Sequence, residues 1–155
     1  MESAPELRDW FTAFAADAES RLRHALVAAL GQHQGLEATA EALAYGWEHR
    51  QRLAEMDNPV GYLYRVGRSR VRVRPANPRF VPVPPNMLPE VEPGLPSALE
   101  RLSERQRTVV VMVHAYGWSR YQAAETLGMS VSTLDSHLQR GLAKLRRILG
   151  VSSDA

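Results

Sequence analysis

Between Ser130 and Leu149 a polar and basic set recurs along one side of the chain: Ser132, Thr133, Asp135, Ser136 and Gln139, then Arg140, Lys144 and Arg147. Hydroxyl, carboxylate and carboxamide groups read base edges, whereas guanidinium and ammonium groups hold phosphate. The short polar side chains come first and the basic ones last, which suits a helix whose start enters a DNA groove. Val131, Leu134, Leu138, Leu142, Leu145 and Ile148 or Leu149 recur at three and four residues on the other side, forming one apolar stripe. The same pattern also fits a packed helix with a solvated face. The tight turn before it and its basic end favour DNA.

Other chemistry finds little support. The five histidines are scattered at no metal-ligand spacing, His114 and His137 included, and there is no Gly-rich phosphate loop or nucleophile motif. No catalytic residue, metal or cofactor is expected, and the chain is not expected to be an enzyme or to take a small-molecule substrate. Cysteine is absent, which excludes disulfides and Cys-based zinc or redox centres. No apolar run is long enough for a bilayer. The start, MESAPELRDWF, lacks the basic region and apolar core of a secretory signal. The expected location is the cytoplasm, with no membrane partner.

The elements that must position the polar face are written in helix-start signals. Ser103 precedes Gln106 by three residues, and Ser119 precedes Gln122 likewise, so each pair is a candidate capping box. Ser130 is a candidate N-cap, and Gly117 and Gly128 sit where helix ends need a left-handed residue. Ala123, Ala124 and Leu127 give the short helix before the turn a small apolar face. The product is a helix-turn-helix, whose second helix can lie in the major groove. Ser97 and Glu100 form one further candidate box.

The first half is also helical by pattern. One helix is expected from about Leu7 to Leu30, with Trp10, Phe11, Phe14, Leu22, Leu26 and Leu30 as its stripe. Gly31 is a break, and a second helix is expected from about Leu36 to Ala54. Asn58 as N-cap and Pro59 as first residue open a third, reaching about Val73. Eight of the ten prolines fall from Pro75 to Pro96, where they block helix and predict a semi-extended tether. A Pro-rich peptide ligand is the other use of such a stretch. The chain is thus expected to be all-α, with two small helical domains (residues 1–74 and 97–151) joined by a Pro-rich linker (residues 75–96), the second domain a helix-turn-helix.

Charge follows this division. Net charge is only +2, but residues 1–57 hold ten acids and five bases. Residues 101–151 hold eight bases and three acids, and six arginines with no acid lie between Tyr64 and Phe80. An acidic face for a protein partner and basic faces for nucleic acid are expected.

These features together resemble an extracytoplasmic-function sigma factor of the sigma-70 family. The opening LSERQR, the Gly-Trp-Ser before the short helix, AAETLGMSVSTL and the closing RGLAKLRRIL are similar to the family's region 4 in family order. Asn58-Pro59 followed by Tyr62-Leu63-Tyr64-Arg65-Val66 is similar, less closely, to a stretch of region 2. The family's Trp is Tyr62 here, and Asp135 stands where a basic residue is usual.

The resemblance implies a protein that carries core RNA polymerase to promoter DNA. Region 4 would read the minus-thirty-five element with Ser132, Thr133, Asp135, Ser136 and Gln139, with Arg120, Arg140, Lys144 and Arg147 on phosphate. An exposed Asp135 that contacts nothing is the alternative for that residue. Region 2 would handle the minus-ten element with Tyr62, Tyr64, Arg65, Arg68, Arg70 and Arg72, although Tyr62 and Tyr64 also fit a partly core role. Glu37, Glu41 and Trp47 would face the polymerase, unless Trp47 is core. An anti-sigma factor is a further implied partner. Two other functions fit the same residues. One is a helix-turn-helix regulator that binds DNA without polymerase. The other is a degenerate sigma-like protein that binds polymerase or an anti-sigma factor.

Overall fold

The computed structural model describes residues 3–71 and 94–150, and no strand occurs among them. Arg72 and nearly all of the Pro-rich stretch lie outside the described residues.

The first helix, α1 (Ala4–Leu30), begins earlier than its apolar stripe suggests. The Glu6 carboxylate accepts from the Ser3 backbone N–H at 2.9 Å, and Pro5 occupies the first turn. The helix ends at Gly31, whose φ of 89° a side chain would resist. One residue suffices for the break, so α2 (Gln32–Glu48) starts at once rather than near Leu36.

The single helix expected up to Ala54 is two helices. His49 leaves helical geometry at φ −116°, and α3 (Arg50–Ala54) follows. Side chains finish α2 there: the His49 imidazole donates to the Tyr45 carbonyl at 3.0 Å and Arg50 donates to the Trp47 carbonyl at 2.7 Å. Next, α4 (Pro59–Arg70) starts as expected, with the Asn58 side chain accepting from Gly61 N–H at 3.2 Å. It stops at Arg70 rather than near Val73.

In the second half α5 (Leu95–Glu100) takes Leu95 and Pro96 into its first turn behind Gly94. The box expected from Ser97 to Glu100 does not form, because Ser97 is already inside the helix. The other two boxes do form: Ser103 Oγ accepts from Gln106 N–H at 3.1 Å before α6 (Glu104–Val110), and Ser119 Oγ from Gln122 N–H at 3.0 Å before α7 (Arg120–Leu127). The end of α6 widens into a π-turn over Val111–Ala115, with Tyr116 N–H bonded to the Val111 carbonyl at 3.2 Å. Left-handed Gly128 and the bond from Met129 N–H to the Ala124 carbonyl at 3.0 Å make a Schellman stop after α7. Ser130 Oγ then accepts from Thr133 N–H at 3.1 Å and starts α8 (Val131–Leu149).

Helices α1, α2 and α4 pack together in the first half, and α5, α6 and α7 pack on α8 in the second. The halves meet where α1 lies against α6 and its π-turn, and where α4 lies against α7. Their buried apolar residues form one continuous cluster, from Leu22, Leu26 and Leu63 through Val109, Met112 and Trp118 to Leu134 and Leu138.

Candidate nucleic-acid interface

Helix α8 turns Leu134, Leu138, Gly141 and Leu145 inward, with Leu142, Ile148 and Leu149 packed beside them. Close approach to α6 depends on Gly141, where a Cβ would meet Val110 and Gln106. The opposite face is open. Ser132, Thr133, Ser136, Gln139, Arg140 and Arg147 are exposed, while Asp135 and Lys144 are half-buried. Ser130 donates to Thr133 Oγ1 at 2.9 Å, and Ser136 donates to the Ser132 carbonyl at 3.2 Å, so these hydroxyls are oriented by the helix start itself. Arg140, Lys144 and Arg147 have no ion-pair partner among the described residues.

Arg120 and Asp135, read from sequence as a phosphate contact and a base contact, face each other. Arg120 Nε lies 3.3 Å from Asp135 Oδ1, an ion pair across the turn from α7 to α8. The pair offsets the negative charge of an acid that would otherwise repel phosphate. Three residues of this surface escaped the sequence reading. Val131, assigned to the apolar stripe, is exposed at the first position of α8, and Tyr121 on α7 is 70% exposed. Arg146 is exposed beside Arg147. For Tyr121 the signal was its position outside the face made by Ala123, Ala124 and Leu127.

Helix α4 distributes its residues unevenly. Arg65, Arg68 and Arg70 are exposed, and Tyr62 is half-buried, with its hydroxyl 3.1 Å from that of Tyr45. Arg70 sits over the Tyr45 ring at 5.0 Å and Arg52 over the Tyr62 ring at 5.8 Å. Of the two roles open to Tyr64, the structure gives it the core one: it is 1% exposed and offers no ring face to a base. The second half covers it. Arg68 pairs with Glu104 at 2.6 Å and donates to the Tyr64 hydroxyl at 3.3 Å, while Arg65 reaches the Glu125 carbonyl at 3.5 Å. Asn58 Nδ2 donates to Thr126 Oγ1 at 3.2 Å. Burial pushes the Tyr64 phenol above its ordinary pKa, against the lowering effect of Arg68.

The remaining expected residues lie on the outer face of α2. Glu37 and Glu41 are exposed there beside Leu36 and Ala40. Trp47 is neither core nor free: it is 40% exposed, edge-on to Phe11, with the Arg50 guanidinium 4.2 Å above its ring. No helix among the described residues is long and apolar enough to cross a membrane, and none of their His, Asp and Glu side chains cluster as a metal site.

Residues 94–145 match the family model for sigma-70, region 4. No curated protein matches the chain. Among solved structures, the chain is similar to the sigma factor RpoE of Bartonella quintana, solved in complex with the anti-sigma factor NepR. Identity is 18%, covering 92% of this chain and 98% of that one, with a TM-score of 0.68. It is also similar to CnrH, solved in complex with the cytosolic domain of CnrY, at 23% identity over 94% of this chain and 91% of that one, with a TM-score of 0.67. At such identities the likeness is one of fold. The second half, with its helix-turn-helix, thus matches sigma-70 region 4, and the described chain has the fold of these solved sigma factors.

Proposed function

We propose that the chain is an RNA polymerase sigma factor of the extracytoplasmic-function type that directs core polymerase to promoter DNA. The observation that carries this is the open face of α8, seated behind a doubly capped helix-turn-helix in a region 4 sequence. In this reading Ser132, Thr133, Ser136 and Gln139 meet base edges of the minus-thirty-five element. Val131 adds an apolar contact suited to a thymine methyl. Arg140, Lys144 and Arg147 hold phosphates, which position without specifying. Asp135 acts through Arg120, keeping that guanidinium at the rim of the groove.

The first half takes the other two tasks. Glu37 and Glu41, with Leu36 and Trp47 exposed on the same helix, give an acidic and apolar surface suited to the polymerase. Tyr62, Arg65, Arg68, Arg70 and Arg72 are assigned to the minus-ten element, where an unstacked base needs an aromatic platform and a cationic groove. Tyr64 joins them only after the halves part, because the packed arrangement covers it. An anti-sigma partner is proposed on the same footing, since both similar structures were solved with a bound protein.

Reconstituted transcription tests the reading. The chain added to core polymerase is expected to start transcripts at sites with two spaced elements selected from random promoter DNA. Binding to core without initiation would sink it in favour of a sigma-like protein that only sequesters polymerase. DNA binding as a dimer without core would favour a separate regulator.

A further inference from the structure

Asp135 is the only acid of α8, on a helix that carries Arg140, Lys144, Arg146 and Arg147. Its two oxygens are not equivalent. Oδ1 is shut off from solvent and lies 3.3 Å from Arg120 Nε. The side chain as a whole keeps 37% of its surface open. That exposure falls on its outer edge, where Oδ2 lies. In the proposed function the acid acts through Arg120, a task that occupies the inner oxygen alone. The outer one is left over, and no hydrogen bond reaches it among the described residues.

The neighbours on α8 define what Oδ2 faces. Val131 and Gln139 stand one turn before and one turn after Asp135, on its side of the helix, and both are exposed. Each is assigned a base edge in the proposed function, so Asp135 lies between two readers. The hydroxyl of Ser136 is no competitor, because it donates to the Ser132 carbonyl at 3.2 Å. A carboxylate paired with a guanidinium accepts hydrogen bonds and donates none. In the major groove guanine and thymine present acceptors, and adenine sets its amino group beside the N7 acceptor. Cytosine alone presents an amino donor with no acceptor of its own beside it.

We propose, resting on that function, that Asp135 is a specificity-determining residue: Oδ2 accepts from the amino group of one cytosine in the minus-thirty-five element, between the bases met by Val131 and Gln139. Elsewhere the same carboxylate repels phosphates and acceptor edges, so it discriminates largely by weakening the wrong sequences. Arg120 offsets part of that repulsion.

The full chain with core polymerase is used to select from duplex DNA randomised over the minus-thirty-five element, and the selected site is then bound with each base pair changed in turn. The wild-type chain is expected to prefer cytosine at one position by about fivefold or more over the other bases. Asp135→Ala, at a half-open position, is expected to abolish that preference, keep those at the other positions, and tighten binding to unselected DNA. The proposal is overturned if Asp135→Ala leaves every preference as it was, changes all of them equally, or relaxes a position at which the wild type does not choose cytosine. Each of these results leaves the polymerase role standing. Selection of no motif by the wild type would sink that role and the part of Asp135 with it.

Discussion

Arg107 ends a helix to which it does not belong. The last turn of α1 holds no basic residue, and its Ala28 carbonyl accepts from Arg107 Nε at 2.6 Å. The same guanidinium donates to the Leu102 carbonyl at 3.4 Å and is only 8% exposed. Desolvation lowers its pKa, against the pull of Glu104 and Glu100. Arg107→Met is expected to cost about 2–3 kcal/mol by urea unfolding. Arg107→Lys should not rescue it, since a single ammonium cannot match the planar fork. His24 makes a second prediction. Its ring stacks on Tyr116 at 3.8 Å, and its Nδ1–H donates to the Ser20 carbonyl at 2.7 Å. Burial holds its pKa below the ordinary 6.5, outweighing that hydrogen bond. The unfolded chain therefore takes up this proton first, and stability falls as pH drops through that value, levelling off below the folded pKa. Urea midpoints measured from about pH 7.5 to about pH 5.5 should show the loss, and His24→Phe should remove this part of the slope. Sequence alone revealed the polar residues of α8, because helical period sorts them locally. It was silent on Arg107, whose partner carbonyl lies far along the chain.

At the scale of elements, α8 is expected to bind duplex DNA through charges that nothing else in the described protein engages. Arg140→Ala should weaken binding about equally on different promoter sequences and lower the salt slope by about one. An unchanged slope in a salt titration would remove Arg140 from the phosphate contacts. The caps at Ser103, Ser119 and Ser130 were legible because a cap is a bond between residues two or three apart. The stop at His49 and the π-turn over Val111–Ala115 were not. In the first, an imidazole competes for the Tyr45 carbonyl; in the second, Trp118 N–H bonds to the Met112 carbonyl at 3.0 Å as the chain turns inward. Neither carries a Gly or Pro to mark it. The Arg120–Asp135 pair was missed for a related reason, since each residue was judged on its own helix.

For the whole molecule, the packed halves set a condition on function. Tyr64 is covered and Arg68 is paired with Glu104 of α6, so in the proposed reading α4 offers its full minus-ten set only when the seam opens. The chain contains no cysteine, so a crosslink can be introduced cleanly. Asn58→Cys with Thr126→Cys replaces side chains that lie 3.2 Å apart across the seam. The oxidised variant is expected to lose core-dependent initiation by about tenfold or more, and reduction should restore it. Full activity of the oxidised form in run-off transcription would show that the halves work without parting. The mutual dependence of the halves has a consequence for biosynthesis. The guanidinium that finishes α1 lies 79 residues downstream of the carbonyl it caps. While the ribosome is still making the intervening stretch, that carbonyl must be hydrated by water, so the first helix of a nascent chain frays at its carboxyl end until Arg107 emerges from the exit tunnel.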